Sequence, residues 1–376
     1  MRTAAPIPAR GLRRPIALLT AAALAPLANS AGESSAYERT WSRAELYKDA
    51  GNPAIQSVAF TGRYQLDYAF VRRNDFEELA TRRWRMGTKI RAFRNFTLHA
   101  EADFDPEGEP WYQKLTDAYI AWSRSKALTL TVGKHSAGFT MDGMTSSKEL
   151  LTIDRSNLTN NLWFTQEYMP GISAAGRTGN WRYHAGLYSA GRSTKEFGRF
   201  DGSYFALYTL GYDFASRLGV KTAALTGHYV FQNPNPRNTF TRNLHHIGSL
   251  SIDFEAGKSG VRADLSGATG TGSQSDLWGA MIMPYYNLSQ RLQLVLRYTY
   301  LNSAGEDGVV FGRYESLAVG GRGDNYNEYY AGLNYYFYGH KLKLQSGLQH
   351  VDMDDTARNG GSFSGWAWTT GFRVSW

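Results

Sequence analysis

Twelve basic residues recur at alternate positions along short stretches of the chain. They are Arg63, Arg83, Arg85, Lys89, Arg91, Arg182, Arg262, Arg291, Arg297, Lys341, Lys343 and Arg373. In an extended backbone that spacing puts their charges on one side. Six acids share the same side: Asp67, Glu101, Asp103, Asp117, Asp253 and Asp264. Around a water-filled space, a surplus of cations raises the local concentration of anions. The same charges can instead pair across strands and stiffen a wall, and both readings stand at this point. Guanidinium forks and charge-assisted donors suit oxyanions. More polar groups of this kind, Thr145-Ser146-Ser147-Lys148 and Arg155, sit in an irregular stretch from Lys134 to Trp163. A stretch of that length without a strand pattern is usually functional, although an ordinary surface loop is the plainer alternative.

Bond-breaking chemistry needs a nucleophile beside a base, or paired acids. The chain has no cysteine. That excludes a cysteine nucleophile, a thiolate metal site, a disulfide scaffold and an acylated cysteine. Neither Gly-x-Ser-x-Gly nor His-Glu-x-x-His occurs. His245 and His246 are adjacent, so a regular strand turns them to opposite faces, away from a common metal. No catalytic residue, cofactor or metal is expected.

The elements that carry these groups are strands. Val58, Phe60, Gly62, Tyr64, Leu66, Tyr68 and Phe70 fall on one face, and Ala59, Thr61, Arg63, Gln65, Asp67 and Ala69 on the other. Period two with one apolar and one polar face marks a strand. The pattern recurs over 82–93, 96–104, 114–123, 127–133, 170–178, 180–190, 203–214, 220–231, 245–256, 259–268, 277–288, 292–300, 326–338, 342–348 and 365–376. About sixteen strands of roughly ten residues are the signature of a transmembrane barrel. Short turns alternate with longer polar stretches at 71–81, 105–113, 191–202, 232–243, 302–325 and 353–364. A secreted sandwich is the soluble alternative, because it too shows alternation. Against it stand outward aromatics such as Tyr204, Tyr208, Tyr212, Phe214, Tyr335 and Phe337, which suit membrane interfaces. The last strand carries Trp366, Trp368, Phe372, Val374 and Trp376 at alternate positions; a soluble edge strand of that composition would invite aggregation. The expected fold is all-β, an antiparallel transmembrane barrel of about sixteen strands, with an inward-folding loop after the fifth.

The N-terminus reads as an export signal over residues 1–31. Arg2, Arg10, Arg13 and Arg14 precede the apolar run Pro15 to Leu27, and Ala28-Asn29-Ser30-Ala31 supplies small residues for cleavage. Those arginines make up four of the eight excess positive charges, so the basic isoelectric point argues for no nucleic-acid partner. Residues 32–56 read as a periplasmic leader with a short helix between Thr40 and Tyr47. The barrel is expected over 57–376, with 134–163 as its constriction loop.

Arg82-Arg83, Thr116-Asp117-Ala118-Tyr119, Leu130-Thr131-Val132-Gly133-Lys134, Phe139, Thr145-Ser146-Ser147-Lys148, Ile153-Asp154-Arg155-Ser156 and Pro170-Gly171-Ile172 follow in order. Together the segment Arg82 to Arg177 resembles the phosphate-selective porin O and P family of Gram-negative outer membranes. The resemblance implies a trimeric sixteen-stranded porin in which Arg63, Arg82, Arg83, Ser146, Ser147, Lys148 and Arg155 form an anion-binding constriction. Arg85, Lys89, Arg91, Arg182 and Arg297 would line the lumen beyond it. This chain departs at Gly143-Met144, where selective members carry a lysine before the Thr-Ser-Ser run. Anion preference without tight phosphate selection follows. The expected function is passive diffusion of small hydrophilic solutes, leaning to anions and including phosphate. The chain would be a homotrimer in the outer-membrane bilayer, with no nucleic acid bound. An outer-membrane barrel enzyme and a non-conducting adhesion or binding barrel are the alternatives. Trp376 is expected to pair near the first strand, and the loop to bring Ser146, Ser147 and Arg155 toward Arg63 and Arg83.

Overall fold

The computed structural model describes residues 35–162, 168–190, 196–197, 203–235 and 242–376. The export signal expected over residues 1–31 lies outside the described residues. The described chain forms one 17-stranded antiparallel sheet that closes on itself. Sixteen of these strands make the barrel. They are β2 (Ile55–Val71), β3 (Phe76–Ala92), β4 (Phe96–Phe104), β5 (Tyr112–Ser125), β6 (Leu128–Ser136), β7 (Tyr168–Thr178), β8 (Trp181–Ser189), β9 (Tyr204–Asp213), β10 (Thr222–Gln232), β11 (Leu244–Ala256), β12 (Ser259–Gly270), β13 (Leu277–Asn287), β14 (Leu292–Ser303), β15 (Asn325–Tyr338), β16 (Leu342–Asp354) and β17 (Phe363–Ser375). Each pairs with its neighbours in sequence, and β17 pairs with β2 from Ala367 opposite Val71 to Ser375 opposite Arg63.

Burial is inverted relative to a soluble protein. Val132, Ile172 and Leu187 are 56%, 53% and 49% exposed, whereas Gln65 and Glu101 are each 2% exposed. Apolar side chains face outward because hydrocarbon is their solvent, and polar ones face the interior. Hydrogen bonding within lipid also dictates closure, since an open sheet edge would leave backbone groups unsatisfied there.

The seam is completed by the last residue. Gly62 N donates to the Trp376 carbonyl at 3.2 Å, and Trp376 N donates to the Gly62 carbonyl at 3.1 Å. The Trp376 ring stacks on Phe60 with centroids 5.7 Å apart. A Cβ at position 62 would lie 2.5 Å from both the Arg85 carbonyl oxygen and the Trp376 ring, so only glycine admits the indole.

Below this seam β2 runs on, and its free edge is covered by the short strand β1 (Glu45–Lys48), with Glu45 opposite Ala59 and Lys48 opposite Ser57. Before it stands helix α1 (Ala36–Ser42), started by a capping box in which Ser35 Oγ accepts from Glu38 N and Glu38 accepts from Ser35 N. The leader therefore differs from the expected helix between Thr40 and Tyr47: the helix comes earlier and Glu45–Lys48 is extended. Tyr37 stacks on Tyr338 at 5.3 Å, and Trp41 Nε1 donates to the Ser375 carbonyl at 2.6 Å.

Two other expectations need correction. The polar stretch 71–81 is not a long loop: β2 and β3 are both 17 residues long and are joined by a tight turn around Arg73–Asp75. Between Leu244 and Ile247 the register of β11 shifts, so His245 and His246 lie at a β-bulge opposite one residue of β12, Thr269. Their rings are 4.0 Å apart instead of on opposite faces.

Replacing Trp376 by Ala removes the ring at the seam, and loss of a packed tryptophan costs about 3–5 kcal/mol. Barrel assembly in vivo and the urea midpoint in micelles should both fall sharply. An unchanged midpoint would mean that the backbone pairing alone holds the seam.

Candidate functional site

The chain between β6 and β7 turns into the barrel. Thr140, with φ of 64°, reverses the backbone, and its hydroxyl caps helix α2 (Met141–Met144) by accepting from Gly143 N. A second short helix, α3 (Asn157–Leu162), follows. The two strand residues Lys134 and His135 and the loop residue Ala137 are buried, and so are Phe139, Leu150, Leu151, Ile153, Leu158 and Leu162. This inward loop thus begins at residue 137, after β6, and not at Lys134. Trp163 lies outside the described residues.

Polar anchors tie the loop to one side of the wall. Arg63 Nη1 donates to Ser147 Oγ at 2.6 Å, and Gln65 Nε2 donates to the Ser147 carbonyl at 2.9 Å. Arg82 donates through Nε and Nη2 to Asp154 Oδ1, at 3.3 and 3.0 Å. Arg297 Nη1 reaches Thr152 Oγ1 and the Asp154 carbonyl, at 2.9 and 3.0 Å. Lys343 Nζ donates to the Leu150 carbonyl at 2.6 Å, and Lys148 Nζ to the Trp376 carbonyl at 3.0 Å. Met141 N is held by the carboxylate of Asp264 on β12 at 3.0 Å. The acid-base pairs of this wall are short and buried: Arg63 with Glu101 at 3.1 Å, Arg297 with Glu328 at 2.7 Å, and Arg373 with Asp67.

The fold therefore brings together Arg63, Arg82, Ser147, Lys148 and Arg297 with the loop. Arg83 Nη1 donates to Gln65 Oε1 at 2.9 Å and sits beside them. Arg155 folds back on its own loop, donating to the Asp142 and Thr145 carbonyls at 2.7 and 2.9 Å. Ser146 is exposed beside Met144, its Oγ accepting from Lys148 N at 3.3 Å, while the hydroxyl of Ser147 faces the wall. Arg85 reaches Tyr168 Oη at 2.8 Å and Asp103 at 3.5 Å. Three expected lining residues make no hydrogen bond to the loop, although Lys89 is near enough to repel the charge of Lys148. Lys89 and Arg91 are exposed near the turn end of β3, and Arg182 pairs with Asp213 at 2.8 Å.

A second loop enters the barrel unannounced by the polar pattern of 302–325. Between β14 and β15, Val309, Phe311, Tyr314, Glu315 and Val319 are buried. Val310 exchanges hydrogen bonds with Asn161 at 2.9 and 3.0 Å and accepts from Asn157 at 2.9 Å. Tyr314 Oη donates to Asp67 at 2.5 Å, and Gln349 donates to Glu315. The apolar triplet Val309-Val310-Phe311 with Tyr314 was the available signal. Burial pushes the Glu315 carboxyl up to about 7. Lys148 is brought down to about 8, first by burial and then by Arg63.

The sequence profile of the family described as phosphate-selective porin O and P matches residues 58–290, more than half of the chain. No curated protein sequence matches it. Among solved structures, an anion-selective porin from Comamonas acidovorans is similar over 85% of this chain and 99% of its own, with a TM-score of 0.61 and 10% identity. The outer membrane channel DcaP of Acinetobacter baumannii is similar over 88% and 99%, at 0.58 and 14%. Salmonella typhi OmpF, in complex with daunomycin, is similar over 85% and 98%, at 0.60 and 11%. At these identities the likeness is one of fold.

Replacing Arg63 by Ala leaves Glu101 buried without its cation, which costs about 3–5 kcal/mol, and leaves Ser147 tied to the wall only through its carbonyl. The urea midpoint should drop, and protease cleavage between 137 and 162 should appear. The double replacement of Arg63 and Glu101 by Ala should recover part of the midpoint but not the protection. A loop still protected in both variants would show that its other anchors suffice.

Proposed function

The chain belongs to the phosphate-selective porin O and P family and is an outer-membrane porin of a Gram-negative bacterium, and on that premise we propose that it passes small hydrophilic solutes passively with a preference for anions. The supporting observation is the cationic wall of β2, β3, β14, β16 and β17, onto which the inward loop is tied. A solvated ion crossing such a site exchanges water for side-chain donors and leaves unchanged. Homotrimeric assembly, implied by the family resemblance, belongs to the same reading; a detergent-extracted particle of one chain mass would remove it.

The enzyme alternative finds little support at the place where it comes nearest. Thr61 Oγ1 lies 3.3 Å from His99 Nε2, the order of a hydroxyl and its base. His99 Nδ1, however, is 4.0 Å from Asp117, too far for the hydrogen bond that would orient the imidazole.

Most of the wall arginines are matched by acids or carbonyls, so the exposed loop tip carries the selectivity in this reading. Gly143, expected at the position where selective relatives carry a lysine, is buried, whereas its neighbour Met144 is 42% exposed and is the place from which a lysine would reach the lumen.

Planar-bilayer recordings should give a reversal potential favouring chloride over potassium. The preference should shrink toward 1 M salt, where the Debye length falls to about 3 Å. Lys148, with its lowered pKa, is charged below about pH 8 and neutral above it. Anion preference should therefore fall as pH rises from 7 to 9, and replacing Lys148 by Met should remove that step. Cation selectivity in the parent channel would overturn the reading.

Phosphate should block chloride current weakly. Met144→Lys adds a charge-assisted donor worth about 1.5–3 kcal/mol, so block should then need at least tenfold less phosphate, as about 1.4 kcal/mol is a factor of ten. Strong block in the parent would show that another group already fills the lysine's role.

A further inference from the structure

The loop between β14 and β15 carries a buried acid for which the described residues supply no cation. Val309 and Gly323 exchange backbone hydrogen bonds at 2.8 and 2.9 Å, and this neck sets off the residues between them as one strap. Gly312 precedes the seated part and Gly320-Gly321 follow it, so the backbone can pivot on both sides. Tyr314 and the helical turn Glu315–Ala318 occupy the seat. Tyr314 Oη donates to Asp67 at 2.5 Å, and Glu315, 1% exposed, accepts from Gln349. The charges around the seat are already matched. Asp67 pairs with Arg373, Glu328 with Arg297, and Asp154 with Arg82. Arg155 serves carbonyls of its own loop, and Arg313 is exposed over the Tyr314 ring. Tyr326 donates to Glu328 Oε2 at 3.0 Å, and the Tyr330 ring lies under Arg297. Glu315 and Glu328 line one cavity of about 30 Å³. An ionised Glu315 therefore meets a second carboxylate across that cavity and has no arginine of its own.

We propose that this loop is a proton-operated strap, seated inside the barrel while the Glu315 carboxyl is protonated and loosened when that carboxyl ionises. It goes beyond the reading above, since it needs a porin but no preference for anions. Neutral, the carboxyl can sit beside Glu328 with Gln349 as its partner. Ionised, it is a buried charge without a cation, the costly case. Burial first, and then Glu328 and Asp154, push the seated carboxyl up to about 7. On a released strap in water it returns to the ordinary value of about 4.3. The seat is therefore at full strength below about pH 4.3, weakens as pH rises to about 7, and changes no further above that. Lys148, brought down only to about 8, titrates above that window.

The chain has no cysteine, so one introduced thiol reports alone. Val319 is 3% exposed just after the helical turn. In the test, Val319→Cys is made in the full-length channel, and its labelling by a maleimide is followed in micelles from about pH 4.5 to 8. The same substitution in Glu315→Gln is the reference, and dividing the two rates at each pH cancels the ionisation of the thiol itself. The ratio should rise at least tenfold between about pH 5 and 7 and level off above about 7.5. Gln349→Leu, a second variant that leaves the acid in place, removes the donor that favours the ionised carboxyl, so its rise should move to higher pH. In planar bilayers, unitary conductance should rise over the same interval in the parent and stay level in Glu315→Gln. A flat labelling ratio would overturn the proposal, and so would a rise that Gln349→Leu leaves in place. A conductance step that persists in Glu315→Gln would overturn it too, because another group would then be titrating. A parent that passes no current condemns the porin reading, whereas the labelling, which needs no current, judges the strap alone.

Discussion

Lipid cannot hydrogen-bond a backbone, and from that one limitation the architecture unrolls. Every strand in the hydrocarbon needs a partner on both sides, so β17 must meet β2, and the meeting is finished by the paired amides and carbonyls of Gly62 and Trp376. Closure creates an inside, and period two fills it with whatever alternates with the lipid-facing residues. Here that is a ring of charge. A charge enclosed in this way must be matched or solvated. Acids on adjacent strands match part of it, as Glu101 matches Arg63 and Glu328 matches Arg297. The carbonyls and hydroxyls of the inward loop match much of the rest. The loop is therefore not an ornament added to a finished barrel; it is a large part of how the inside of the barrel is satisfied.

That view explains why several cations of the wall are turned away from water. Arg63 serves an acid and a loop hydroxyl together, Lys343 serves a carbonyl, and Arg155 serves two carbonyls of its own loop. Counting basic residues on the inner parity overstates the charge a passing ion meets. Exposed instead are Lys89, Arg91, Arg182, Arg291 and Lys341 toward strand ends, and Met144 and Ser146 on the loop; in the reading proposed above, these are the groups a passing ion meets.

The strands were legible because each residue reports its own face. Sixteen segments could be placed from alternation alone, with errors at ends such as Phe76, where charged and apolar residues mix on an exposed strand. The cations of the site were legible for the same reason, since parity put Arg63, Arg83 and Arg297 inside. Their partners were not, because pairing depends on register and on local irregularities that leave no mark in single residues. The bulge at His245-His246 reversed an argument that regular geometry would have supported. Helix α1 carried its capping box, Ser35 with Glu38, but seven residues are too few for a helical period to stand out. The second inward loop was hidden because what draws Val310 and Tyr314 inside is Asn161 and Asp67, distant in sequence.

The docking of helix α1 bears on the order in which the molecule comes together. Trp41 bonds to the carbonyl of Ser375, a residue 334 positions later, and Tyr37 and Trp41 both pack on Tyr338. None of these contacts exists until the last strands are in place. The first folded segment of the described chain is thus among the last to find its seat, and its docking acts as a clasp that only a completed ring can fasten.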